Sequence, residues 1–240
     1  MKTAIIQARM TSTRFAGKVL ADIEGKSMLW HVIRRLKFAK KIDDIILAIP
    51  TRKESDILEK FSKENNIKYF RGSESDVLSR YYETAKKFGA DIIIRITSDC
   101  PLIDPKIVDL VIKRHLNSSA DYTANILERS FPRGLDVEVF NFKTLERVYK
   151  EAKKKYQREH VTIYIHENSE KFCLVNVKNS RDFSNMRWTV DEKEDLEFVR
   201  GIYKKLYKKK EIFLMEDVIN LLKRQPELIK INEKVEQKEI

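Results

Sequence analysis

Cysteine is almost missing from this chain. Its two residues, Cys100 and Cys173, lie far apart without a CxxC or CxH companion, so neither a disulfide framework nor a zinc site is indicated and two buried thiols are expected. Glycine and proline are also scarce, six and five in 240 residues, and no Gly/Ser linker or low-complexity tract divides the sequence. Residues 1–225 therefore read as one domain, with Pro226 closing the last helix, a polar C-terminal tail over 226–240 and loose order expected from Asn232 to Ile240. No apolar run approaches the roughly 18 residues of a membrane span. The opening MKTAIIQAR breaks at Arg9, short of a signal-peptide core, so a cytoplasmic protein without a membrane partner is expected. Both common glycine signatures of phosphate binding, GxxxxGK[ST] and GxGxxG, are absent. Histidine offers no metal pair, because His160 and His166 are six residues apart rather than the four that stack two ligands on one helix face.

What the chain does have is cationic charge and a core. Lys and Arg number 48 against 37 Asp and Glu, a formal +11 that suits RNA, an anionic membrane or a polyphosphate ligand. Much of the excess sits in runs such as Lys153–Lys155 and Lys208–Lys210, which read as solvated helix faces, and no RRM, KH or helix-turn-helix pattern accompanies it. With 42% hydrophobic residues the chain can fill a sizeable interior. The apolar periodicity alternates: strand 3–8, helix from 28, strand 45–49, helix 54–65, strand 67–70, helix 76–88, strand 91–97, helix 105–115. That rhythm predicts an α/β fold, a Rossmann-like mainly parallel sheet with helices on both faces. After Asn117 the spacing loosens, and strands over 121–124, 137–140 and 172–177 read as antiparallel additions, followed by a strand over 186–190 and helices over 192–207 and 215–223.

In such sheets ligands sit beyond the carboxyl ends of the strands. The first such loop packs Arg9, Arg14 and Lys18 with Thr11, Ser12 and Thr13 into ten positions, donors that suit a triphosphate; from composition alone a solvated basic loop is equally open. Asp99 follows the fourth apolar strand, where a hard carboxylate can take Mg²⁺ beside phosphate oxygens. Asp104 before Pro105 reads as a helix cap, and Asp191, taken by itself, reads as one too. Farther on, Arg133, Asp136, Glu138, Glu159, His160, Arg187 and Trp188 form a dense polar set in the less regular half.

Ala4-Ile5-Ile6-Gln7-Ala8-Arg9-Met10-Thr11-Ser12-Thr13-Arg14-Phe15-Ala16-Gly17-Lys18, Ser98-Asp99-Cys100-Pro101-Leu102-Ile103 and Trp188-Thr189-Val190-Asp191-Glu192 resemble the cytidylyltransferases that make CMP-activated acidic sugars. Arg71-Gly72-Ser73, Asp76-Val77-Leu78, Pro132–Phe140 and Arg158–Thr162 are similar to the branch typified by a spore-coat polysaccharide protein. The resemblance implies a glycosyltransferase-A-like fold that takes CTP, phosphate contacts from Arg9, Ser12, Thr13, Arg14 and Lys18, and Mg²⁺ held by Asp99 and Asp191. It places Arg71 and Asp76 near the base and ribose, and the set from Arg133 to Trp188, mainly within 120–190, around an anionic acceptor, an acidic sugar before a sugar phosphate, polyol phosphate or phosphonate. A homodimer is implied as well. Two departures stand out: Thr11 where the family has Gly, and Phe15-Ala16 where it has Leu-Pro, which leave room for altered nucleotide choice or a catalytically silent relative.

Overall fold

In the computed structural model, which describes residues 1–12, 14–207 and 211–237, the first strand explains the architecture. In β1 (Lys2–Gln7) successive side chains leave opposite faces, yet Thr3 to Ile6 are all buried, so both faces must be covered. Ala4 and Ile6 join one core with α1 (Met28–Leu36), α4 (Pro105–Leu116), α8 (Lys193–Leu206) and α9 (Met215–Arg224). Ile5 joins a second core with α3 (Val77–Phe88), α5 (Phe142–Glu151) and α7 (Ile163–Glu167).

The sheet has seven strands. Beside β1 lie β4 (Asp44–Pro50) and β6 (Ile92–Thr97), both parallel to it, and β5 (Lys68–Gly72) forms one edge. Beyond β6 come β8 (Glu138–Asn141), β7 (Tyr122–Ala124) and the edge strand β9 (Leu174–Asn176). Only β8 runs against its neighbours, so the expected antiparallel addition is a single reversed strand, with β9 again parallel to β7. A small hairpin, β2 (Asp22–Ile23) with β3 (Lys26–Ser27), precedes α1. The helix starts are chemical: Ser27, Asp76 and Asp104 cap α1, α3 and α4 through their side chains, the Asp104 role being the expected one. On the β5 side α2 (Asp56–Glu64) covers the first core, and α6 (Lys155–Glu159) closes over the start of α3.

Three expectations are corrected. Residues 186–190 do not form a strand of the sheet; they run extended, joined to the loop after β7 by one isolated bridge, Arg133 to Arg187. Cys173 is exposed while Cys100 is buried, because the segment entering β9 turns Phe172 inward and its neighbour outward. The segment expected to be loose is held at its start: Asn232, which follows a 3₁₀ helix over Pro226–Ile231, is buried. The lysines at 208–210 and the last residues, 238–240, lie outside the described residues.

Candidate active site

β1 and β6 are in register from Lys2 with Ile92 to Gln7 with Thr97, so the loops that follow them leave the same edge side by side. The loop after β1 folds back on itself: the amides of Ser12 and Gly17 both donate to the Met10 carbonyl, and Gly17 takes a left-handed φ of 71° that starts a 3₁₀ turn over Lys18–Leu20. Phe15 packs against the core, so it anchors the loop where the resembling family places Leu. The Ser12 hydroxyl accepts the Phe15 amide at 3.4 Å. Thr11, the other departure, donates to Glu74 at 2.5 Å and ties this loop to the one before α3.

The turn delivers Lys18 into the sheet edge, where it is 8% exposed. Its Nζ lies 2.8 Å from Asp191 Oδ1, 3.3 Å from Asp99 Oδ2 and 2.7 Å from the Val190 carbonyl. Burial presses the Lys18 ammonium downward, but the Asp99 and Asp191 carboxylates more than offset it and hold the group above its ordinary value. Arg14 Nη2 meets the same Asp191 oxygen at 2.9 Å, and Arg187 Nη2 holds the other at 3.0 Å. Burial alone would raise the Asp191 carboxyl; Lys18, Arg14 and Arg187 together keep it below the usual carboxylate range. Asp191 is thus not the helix cap that sequence reasoning without the resemblance favours. The N-cap is Glu192, in a capping box with Asp195, which is fully buried in the first turn of α8 and whose Oδ2 accepts the amides of Asp191 and Glu192 at 2.9 and 3.0 Å. Asp195 also receives Arg187 twice, through Nε at 2.9 Å and Nη2 at 3.0 Å.

Position of the 186–191 segment depends on a close backbone crossing. Trp188 donates to the Arg133 carbonyl at 2.7 Å, Arg133 to the Met186 carbonyl at 2.9 Å, and Val190 to the Asp99 carbonyl at 2.8 Å. Gly134 makes the crossing possible: its φ is 104°, and a Cβ there would stand 2.6 Å from the Thr189 nitrogen and the Trp188 carbonyl carbon. Arg133, Met186, Arg187, Trp188, Leu222 and Asn232 border a cavity of about 380 Å³, within the size range of small-molecule pockets. Burial and the neighbouring Arg129 lower the Arg133 pKa, and among the described residues Arg133 has no ion pair.

Arg14, Lys18, Asp99, Asp191 and Arg187 therefore meet in one centre, with Arg133 and Trp188 beside it. Arg9 is exposed on the same loop, Ser12 shapes that loop, and Thr13 lies outside the described residues. Other expected residues are engaged elsewhere. Arg71 is tied to Asp56 and Glu59 at 2.7 Å each and to the Thr51 and Arg52 carbonyls, because its strand position aims it at α2. Asp76 caps α3 and pairs with Arg158 at 2.7 Å. Asp136 is gripped in two-pronged fashion by Arg129 at 2.6 and 2.9 Å. Glu138 stands opposite Arg95 in the register of β6 and β8, pairs with it, and accepts from Tyr122 and Thr162 at 2.7 and 2.6 Å. Arg187 is spent on Asp191 and Asp195 rather than held for an acceptor, and Trp188, 1% exposed, belongs to the core. Glu159 ends α6 and His160 caps it, next to Val161, a β-branched residue held at φ 58° and buried in the second core.

Sequence reasoning missed Asp195, Asn232 and Arg80. Asp195 was legible as the acidic third residue of a helix start; nothing marked Asn232. Arg80, in α3, is 2% exposed, donates to the Ser73 carbonyl and is lowered to about 10 by burial; its Nε has no hydrogen-bond partner. Cys100 is no nucleophile, since burial pushes its thiol far up.

A basic loop, the Asp99 and Asp191 carboxylates and Arg187 thus converge at one edge of the sheet. An uncharacterized protein of Methanocaldococcus jannaschii is 37% identical over 240 residues, covering 98% of this chain and 95% of that protein. The spore coat polysaccharide biosynthesis protein SpsF of Bacillus subtilis is 32% identical over 230 residues, covering 93% and 94%. The solved structure of a cytidylyltransferase from Leptospira borgpetersenii matches with a TM-score of 0.91 at 34% identity, over 99% of both chains. The family profile described as cytidylyltransferase matches residues 3–231, and the chain belongs to that family.

Proposed function

We propose that this cytidylyltransferase moves CMP from CTP to a hydroxyl of an anionic sugar, with Mg²⁺ at Asp99 and Asp191. One observation carries the reading: a single ammonium, Lys18 Nζ, lies within 3.3 Å of both carboxylates, so oxygens from the loop after β6 and from the end of the extended 186–191 segment face one cationic point. Among the described residues no third carboxylate, thiol or imidazole completes a protein cage. Two hard oxygen donors with the remaining positions left to phosphate and water match Mg²⁺, which when bound would neutralise charge on the phosphates.

The chain's own groups supply the rest. Arg14 and Lys18 stand at the carboxylates with cationic donors for the β- and γ-phosphates, and Arg9 extends the same basic loop toward solvent. The acceptor oxygen attacks the α-phosphorus and its proton passes to solvent water, while pyrophosphate departs with the electrons of the broken P–O bond; no covalent enzyme intermediate is needed. Arg133, without an ion pair among the described residues and beside a cavity of sugar size, is the acceptor's anion contact. A cytoplasmic homodimer completes the proposal; separately, no helix among the described residues is long and apolar enough to cross a membrane.

The test is a screen of the four nucleoside triphosphates with Mg²⁺, reading thermal stabilisation and then pyrophosphate release over acidic sugars, sugar phosphates, polyol phosphates and phosphonates. CTP at a hundredfold excess over its Kd adds about 2.7 kcal/mol to the folded state. Stabilisation by another nucleotide and none by CTP overturns the base assignment, and turnover confined to phosphorylated acceptors overturns the acidic sugar.

A further inference from the structure

The family match ends at residue 231, and the next residue enters the active centre. Asn232 is 5% exposed; its Nδ2 donates to Asp195 Oδ1 at 2.9 Å and to the Arg187 carbonyl at 3.1 Å. Five residues on, Gln237 Oε1 accepts Arg187 Nη1 at 2.6 Å. We propose that this C-terminal segment is a clamp on the catalytic centre, in which Asn232 and Gln237 position Arg187 and, through it, the Asp191 carboxylate.

Arg187 is a planar fork, so fixing two of its edges fixes the third. Asp195 takes Nε and one hydrogen of Nη2, and Gln237 takes Nη1. What remains of Nη2 then points at Asp191 Oδ2, 3.0 Å away, which turns Asp191 Oδ1 toward Lys18 and Arg14. Asp195 in turn is held by Asn232 and by two backbone amides. These contacts of Asn232 and Gln237 go to Arg187 and Asp195, so the two side chains act through Arg187 as positioning residues. A displacement of about 1 Å in a reacting constellation costs on the order of a hundredfold in rate, which gives such a clamp its leverage.

The inference rests on Asp191 belonging to the transfer centre, so the experiment carries Asp191→Asn beside the clamp variants in the full chain. Pyrophosphate release is measured with CTP and whichever acceptor turns over. Asn232→Ala lowers kcat about tenfold, Gln237→Ala, on the surface, about threefold, with KM for CTP within twofold. Arg187→Met masks both: adding either clamp substitution to it lowers kcat no further. A merely structural role would lower the melting temperature without the kcat-over-KM split and without that masking. Wild-type kcat in Gln237→Ala and in folded Asn232→Ala, with Asp191→Asn inactive, overturns the clamp and leaves the centre standing. Losses that multiply with that of Arg187→Met also overturn it. Full turnover by Asp191→Asn overturns the centre and the clamp with it.

Discussion

Lys18 brings one ammonium to two carboxylates, with only a tenth of its side chain exposed. Removing it leaves Asp99 and Asp191 facing each other near Val190 with Arg14 as the remaining cation from the loop. Breaking a buried pair from one side costs about 3–5 kcal/mol, and the loss at Lys18→Met should fall at the low end because Arg14 and Arg187 still neutralise Asp191. Turnover should fall more than a hundredfold, since the same ammonium is the donor for phosphate charge. Urea unfolding and pyrophosphate release measure the two separately; a variant as stable and as active as the parent would make Lys18 a surface charge. Arg71 shows the opposite outcome at the same scale. Residue type and motif both allow it to touch a nucleotide, but the acids it pairs with, Asp56 and Glu59, sit on a neighbouring helix at no fixed sequence offset from it. No reading of types along the chain reveals a partner chosen by packing.

At the scale of elements, Gly134 and Gly89 separate two costs that glycine can hide. Both have left-handed φ, 104° and 64°, but a Cβ at Gly89 meets nothing within 4 Å whereas one at Gly134 meets backbone at 2.6 Å. Gly89→Ala should therefore cost about 1 kcal/mol of left-handed strain and leave turnover alone. Gly134→Ala should cost about 2–4 kcal/mol and lower turnover tenfold or more, because the crossing that holds residues 186–191 must open. Equal urea midpoints for the two variants would show that the crossing yields freely. That crossing also explains why a strand was expected over 186–190. Met186, Trp188 and Val190 alternate with polar residues, and Trp188 and Val190 are buried, so the period-two signal reported extended backbone correctly. It could not report that the neighbour is a loop joined by a single bridge. The parallel half of the sheet was legible because each of its strands alternates with a helix long enough to show its own period; the reversal of β8 was legible only as a loss of rhythm.

Across the whole molecule, two sets of buried titratable groups should give acid unfolding two separate windows. Burial lowers the pKa of His31, His115 and His166, and His31, ringed by Trp30, Tyr203 and Tyr207 with its Nε2 2.7 Å from the Ile23 carbonyl, is brought to about 4. Below pH 6.5 the unfolded chain takes up protons at these rings while the folded chain resists, so stability falls with pH from there down to the folded values. For His31 alone the loss over that window is on the order of 3 kcal/mol. The carboxylates act later. Asp191, Asp195 and Glu138 have folded pKa values held below their ordinary ones by Lys18, Arg187 and Arg95 against the opposing effect of burial. Their contribution is present above the unfolded carboxylate range and is lost only as pH falls below about 4 through the folded values. Urea midpoints measured from pH 7.5 to 3 should thus decline first between about 6.5 and 4 and then more steeply. His31→Phe keeps a ring among the three aromatic neighbours and should flatten the first decline while leaving the second. It should start from a lower plateau, because the Ile23 carbonyl loses its donor. A first decline of full depth in His31→Phe would assign it to His115 and His166, and no decline above pH 4 in the parent would mean that the buried rings titrate as freely as exposed ones.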